Sequence, residues 1–207
     1  MELLTHSLYL APVPVYARLF AADKLVIDAG APFVKQTFRN RTVIATENGT
    51  QTLTIPIVHN GNQAMRDVRI SEHGNWRHLH WNAIVSAYRK SAFFDYYADD
   101  FARFYRERDG FLMDFNLRLH AVVCELLGLE RETIIAQKNS LKTEENNIED
   151  LRHAAVPKNL GNIAHFTPEP YYQVFATRNG FIPCASIIDL LFNMGPEALI
   201  TLRDCCR

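Results

Sequence analysis

The chain opens with two apolar runs too close together to be anything but neighbours in a parallel sheet. Leu3 to Leu10 is halted by Pro12 and Pro14, Tyr16 to Ala22 follows at helical spacing, and Lys24 to Asp28 is a second run ending at Gly30. Short apolar runs bounded by proline and glycine read as buried strands. Two strands joined through a helix suggest a parallel pair, because parallel neighbours need such a crossover whereas a tight turn serves antiparallel ones. This predicts a βαβ unit. Ligands of such sheets sit beyond the carboxyl ends of the strands, so Pro12 to Pro14 and Asp28 to Pro32 are expected beside the site.

The pattern then changes. Thr42 to Thr46 and Gln51 to Val58 are rich in β-branched residues and flank Asn48-Gly49, the strongest short-range signal for a hairpin. Pro56 has no N–H for a ladder, so this strand should be an edge or carry a bulge there. Asp67 to Ser71 reads as a third antiparallel strand, which would make the sheet mixed. From Arg77 the period becomes helical: Leu79, Ala83 and Ala87, then Tyr97, Phe101 and Phe104, then Leu112, Phe115, Leu119, Val122 and Leu126, stopped by Gly128. Glu132 to Gln137 reads as a strand. Residues 138–170 are polar and broken by Asn, Gly and Pro, which predicts a long mobile loop with one short helix over Glu144 to His153. Tyr171 to Thr177 reads as extended. Ser186 to Phe192 reads as a helix capped by Ser186 with Asp189 as its partner, so both are assigned to capping and Ser186 is set aside as a nucleophile. The expected fold is mixed α/β: an N-terminal βαβ unit leading into a mixed sheet with a β-hairpin, packed by a bundle of amphipathic helices, as one domain over residues 1–207.

Composition narrows the function. A net charge of −1 supplies no general basic field, so no nucleic acid is expected as partner. The N-terminal apolar run lacks a basic flank and is too short to span a bilayer, which points to a cytoplasmic protein without a membrane span. The four cysteines, Cys124, Cys184, Cys205 and Cys206, form no CxxC pair, and His73, His78 and His80 do not share a helix face, so no metal site is expected. Cys205 and Cys206 fall in a tail expected to fray. No P-loop, GxGxxG or GxSxG is present, and no cofactor is expected.

Between the two halves lies the segment richest in chemistry. If Lys35 to Arg41 is extended, Lys35, Thr37, Arg39 and Arg41 share one face. Arg39 and Arg41 would then stand roughly 7 Å apart, a ridge suited to a diphosphate. The competing reading is a solvated basic strand face.

In order along the chain, FVKQTFRNRTVI, LTIPI, HW followed by SAYRKSAFFDYY, and FIPCASIIDLLFNMGPEA resemble the WbqC-like family, named for a protein of O-antigen gene clusters. The resemblance implies a role in surface polysaccharide biosynthesis, with a small-molecule substrate such as a nucleotide sugar. It carries over Lys35, Arg39, Asn40 and Arg41 from the first block and His80, Trp81 and Tyr88 from the third. Two departures stand out. The family opens with a Gln-Pro pair where this chain reads Ser7-Leu8, and the family's Tyr-Leu-x-Gly motif is missing from Asn146 to Pro170.

These residues lead to a working assignment. Lys35, Arg39, Asn40 and Arg41 bind the anion, and Trp81 and Tyr88 contact the substrate. Trp81 is there to stack on a sugar or base, against the competing reading of a core anchor. His80 is the candidate general base because an ordinary imidazole titrates near neutrality. Asp28 is placed to orient His80 or bind a ribose hydroxyl. With the resemblance, these residues lead to the expectation of a group-transfer enzyme acting on a nucleotide- or lipid-linked sugar; the alternative, favoured by the two departures, is a non-catalytic binding or assembly protein of the same pathway. Exposed edge strands leave room for a homodimer.

Overall fold

A computed structural model describes residues 1–58, 61–137 and 147–206. The opening is as the sequence predicts: β1 (Glu2–Thr5), α1 (Val13–Ala21) and β2 (Lys24–Asp28) form a βαβ unit, with β1 and β2 parallel and Leu3 beside Leu25. β1 is shorter than expected. The chain leaves the sheet after Thr5 and turns at Tyr9-Leu10, where Leu10 takes a left-handed φ of 42°. That conformation costs an L-residue about 1–2 kcal/mol. It is held by Tyr9 N–H on the Phe38 carbonyl and by the Thr42 and Ser186 hydroxyls, which both donate to the Leu10 carbonyl.

The antiparallel part follows. β3 (Arg41–Thr46) and β4 (Gly49–Thr54) form the hairpin, turning through Glu47-Asn48 with Gly49 at φ 100°. Pro56 ends the pairing, and β5 (Ile57–Val58) pairs instead with β6 (Arg69–Ile70). These two antiparallel pairs are separate small sheets beside the parallel one. Three amphipathic helices come next: α2 (Trp76–Tyr88), α3 (Phe94–Arg106) and α4 (Leu112–Leu127), the last closed by Gly128 at φ 66°.

Two further strands complete the main sheet. β7 (Glu132–Ala136) joins β2 and β8 (Ile148–Asp150) joins β1, both in parallel, giving the order β7-β2-β1-β8. β8 lies where a short helix was expected over Glu144 to His153; the part of that span before Asn147 is outside the described residues, as are residues 138–146 of the expected loop. Only three residues of β8 pair, and a helix and a strand cannot be told apart over so short a stretch.

Tyr171 to Thr177 is not extended: it turns into the short α5 (Ala176–Asn179). α6 (Ile187–Met194) is buried along nearly its whole length and packs against α1, α2, α3, α4 and α7 (Ala198–Asp204). Its start corrects the expected capping box. Ser186 stands at the N-cap position, but its hydroxyl serves Leu10, and the Asp189 carboxylate accepts from the Tyr171 hydroxyl and the Gln173 amide at 2.7 and 2.6 Å. The tail does not fray either. Cys205 is buried, and α7 packs on α1. Among the described residues no helix is long and apolar enough to cross a membrane.

Phe192 on α6 is the aromatic hub, with Tyr88, Phe94 and Phe101 ring centroids at 5.4, 5.2 and 5.3 Å. Phe192→Ala is expected to cost about 3–5 kcal/mol of unfolding free energy. Tyr172→Ala, at an exposed ring, is expected to change it by no more than about 0.5 kcal/mol. Urea titration of both variants checks the pair.

Candidate functional site

Because the four strands of the main sheet run in parallel, their carboxyl ends share one edge, and the residue that follows each strand is presented there. A cleft of about 520 Å³ opens at that edge, within the usual size range for a small-molecule site. His6 follows β1, Asp28 ends β2, and Arg152 and His153 follow β8; Thr37 and Arg39 reach it from the turn before β3.

Asp28 is the best-anchored member. Its Oδ1 accepts the N–H groups of Gly30 and Ala31 at 3.1 and 2.9 Å, and its Oδ2 accepts Arg152 Nη1 at 2.9 Å. The rest of the Arg152 guanidinium forks onto the Asp150 carboxylate, at 2.7 Å from Nη2. Arg152 is thus held in a fixed plane by two carboxylates.

Arg39 is the least satisfied. It is 5 % exposed, its Nε is buried without a hydrogen-bond partner, and its Nη1 reaches only Thr37 Oγ1 at 3.5 Å. Among the described residues no carboxylate lies within ion-pair distance. Burial pushes its pKa down to about 10, with Asp28 opposing, so it is still a cation at neutral pH. A buried guanidinium without a counterion carries a desolvation penalty that an incoming anion would offset.

His6 stands beside it. Burial, and then the Arg39 charge, lower the His6 pKa to about 3, so the ring is neutral. Its Nδ1 is buried and unpartnered. On its other side His6 lines a small cavity of about 30 Å³ with Thr5, Ser7 and Asn116, whose Oγ1, Oγ and Oδ1 atoms are also buried without partners.

The structure brings Asp28 and Arg39 together and separates them from the other expected residues. Lys35 to Asn40 is not extended: Thr37 Oγ1 donates to the Val34 carbonyl, Gln36 takes φ 61° and Phe38 turns into the core, which dissolves the ridge. Lys35 is exposed, and Asn40 is buried with its amide donating to the Ile55 carbonyl at 2.8 Å. Arg41 opens β3 opposite Thr54. His80 does not converge on Asp28. It sits in an aromatic nest, with Nδ1 3.0 Å from the Tyr9 hydroxyl, which is itself 2.8 Å from the Tyr105 hydroxyl. Burial lowers its pKa to about 4, partly offset by a hydrogen bond to the Thr54 backbone. Tyr88 is a core ring whose hydroxyl accepts the Ala45 N–H, and Trp81 stacks on Tyr105 in a different cleft. The stretch Pro12 to Pro14 is also away from the site, since Pro12 bridges to Ser186 and Val13 starts α1.

The imidazole and second arginine of the cleft, His6 and Arg152, were not among the expected residues. His6 had a usable signal: it follows the first strand, and running that strand on to Leu10 moved its carboxyl end several residues too far. Arg152 had none, because β8 is too short to announce itself. Among the described residues no group of three or more His, Cys, Asp or Glu side chains is placed to hold a metal ion.

A cleft at the carboxyl edge of a parallel sheet, with a buried arginine and a neutral histidine, is the candidate site of a mixed α/β protein. The chain belongs to the WbqC-like protein family, whose model matches residues 8–162. It is similar to "Uncharacterized protein Rv1507c" of Mycobacterium tuberculosis, 28% identical over 208 residues that cover 88% of this chain and 89% of that protein. No solved structure matches it.

Two buried histidines, His6 and His80, and the half-buried His120, which hydrogen-bonds the Tyr16 hydroxyl and is lowered by desolvation to about 4, are expected to weaken the fold in acid. Their folded pKa values lie below the unfolded value of about 6.5, so the stability they contribute is in place above that pH. It is lost as pH falls from there toward about 4 for His80 and His120 and about 3 for His6. Each loses at most about 1.4 kcal/mol per pH unit. Denaturation midpoints measured across this window should fall steadily with acid, and His120→Gln should flatten the curve.

Proposed function

We propose that the chain is a group-transfer enzyme acting on a nucleotide- or lipid-linked sugar in surface polysaccharide biosynthesis, with the substrate phosphate held between Arg39 and Arg152. The observation that carries this reading is Arg39: a buried cation with an unpartnered Nε, facing a cleft of ligand size. Family membership supports the pathway, and phosphate is the anion that a planar guanidinium fork recognises best.

Asp28 acts here as a positioning residue. It orients Arg152 and stiffens the turn at Gly30-Ala31. His6 is the group placed to take a proton from an acceptor hydroxyl. In the free protein its pKa of about 3 makes it a weak base. A bound phosphate beside it would offset the Arg39 field and raise that value, against the burial that lowers it most. The competing reading, a non-catalytic binding protein of the same pathway, draws on the same low pKa and on Ser7-Leu8 at the family's Gln-Pro position.

Thermal-shift titration with UDP-glucose, other nucleotide sugars and inorganic pyrophosphate tests the site. A phosphate-bearing ligand should raise the melting temperature. Arg39→Met and Arg152→Ala should each weaken binding by roughly ten- to a hundredfold, the loss of one charge-assisted contact. Shifts that are absent, or equal in wild type and both variants, would remove the anion site. Binding with no sugar product under any acceptor would leave the non-catalytic reading.

A further inference from the structure

His6 separates two spaces. On one side it lines the Arg39 cleft, and on the other the cavity of about 30 Å³ between the main sheet, α1 and α4. Of its two ring nitrogens, Nδ1 is the one buried without a partner among the described residues, which leaves Nε2 to face the cleft. Thr5 points into the cavity: it pairs with Ile27 on the strand face that also carries Leu25, and both of those residues line the same space.

Asn116, which lines this cavity from α4, has a settled orientation. It is 1 % exposed, and its Nδ2 donates to the Arg39 carbonyl at 2.8 Å. A nitrogen committed there turns the amide oxygen the other way, and Oδ1, which can only accept, is buried without a partner. Thr5 Oγ1, Ser7 Oγ and His6 Nδ1 are in the same condition, so four residues around one enclosed space each carry a polar atom in need of a partner. A cavity of this size has room for about one or two waters. Water there donates to Oδ1 and accepts from Nδ1, while the two hydroxyls turn to either role. The Arg39 cation, on the cleft side of the ring, disfavours an N–H on Nε2 as well.

We propose that Asn116 is a positioning residue for His6: through water held in this cavity, its Oδ1 keeps the imidazole hydrogen on Nδ1 and leaves the Nε2 lone pair facing the cleft. The hydrogen bond made by one ring nitrogen decides which form the other takes. An imidazole in this form accepts a proton from a substrate hydroxyl on Nε2 and becomes the imidazolium, with its Nδ1–H still held. The same side chain ties down the Arg39 backbone, so one amide sets both the cation and the base of the cleft. The inference rests on the reading of His6 as the proton acceptor, but its test needs no substrate.

The chain holds eight histidines. Full-length protein labelled with ¹⁵N in the imidazole rings is examined by long-range ¹H–¹⁵N NMR at neutral pH without ligand, and His6→Gln identifies the His6 signals by their loss. In the wild type, His6 should carry its hydrogen on Nδ1, the reverse of the form an unconstrained imidazole prefers. Asn116→Leu should shift it to Nε2, and Asn116→Asp, which keeps an acceptor oxygen in place, should retain it on Nδ1. An Nε2–H form in the wild type would overturn the proposal, and that spectrum decides the matter even if Asn116→Leu does not fold. So would a form that Asn116→Leu leaves unchanged, or one lost equally in Asn116→Asp. Pyrophosphate titration of the wild type and Arg39→Met reads the anion site separately: an Nδ1–H form without anion binding would remove that site and leave the role of Asn116 standing, and anion binding with an Nε2–H form would do the opposite.

Discussion

Parallel pairing places the carboxyl ends of β2, β1 and β8 side by side, and the carboxylate of Asp28 ties that edge together. It closes its own turn through the Gly30 and Ala31 N–H groups and reaches across to Arg152, beyond β8, at 2.9 Å. A carboxylate that is 3 % exposed survives burial only when its lone pairs are satisfied this fully. With that contact in place, the segment after β8 is drawn over the sheet edge. The cleft is then lined by Arg152 and His153 from beyond β8 and by Arg39 and Thr37 from the turn before β3.

The two arginines of the cleft are held differently, and the difference matters for chemistry. Arg152 is oriented by Asp28 and Asp150, which take Nε and one N–H of each Nη, and behaves as a fixed part of the wall. Arg39 is engaged by almost nothing, although burial has already lowered its pKa to about 10. Stored desolvation of this kind favours ligand binding, because an anion that enters meets a charge already stripped of water. His6 feels the same field. Its neutral state is a consequence of burial and of Arg39 together, so whatever neutralises Arg39 also changes what His6 can do.

Much of the fold was legible because it rests on local signals. The apolar runs around α1 gave a βαβ unit that the structure contains, Asn48-Gly49 gave the hairpin, and the periodicity ending at Gly128 gave α4. What failed depended on contacts distant in sequence or on turns that strand-like alternation hides. Lys35 to Arg41 alternates as a strand would, yet the burial of Phe38 and the Thr37 to Val34 hydrogen bond fold it into turns. Ser186 and Asp189 have capping-box spacing, yet Leu10 and Tyr171, both remote in sequence, claim their side chains. His80 has an ordinary histidine's credentials, and only the aromatic nest around it shows that it is committed to Tyr9.

Sequence alone determined the class of fold, the family, and two residues of the cleft, Asp28 and Arg39, because strand order and local composition act over a few residues at a time. Tertiary structure decided which imidazole and which second arginine join them. His6 and Arg152 are 146 residues apart in number, and only His6 carries a local mark, its place after the first strand. They meet because β1 and β8 pair in parallel, and that register is chosen by the burial of the whole sheet rather than by any segment of it.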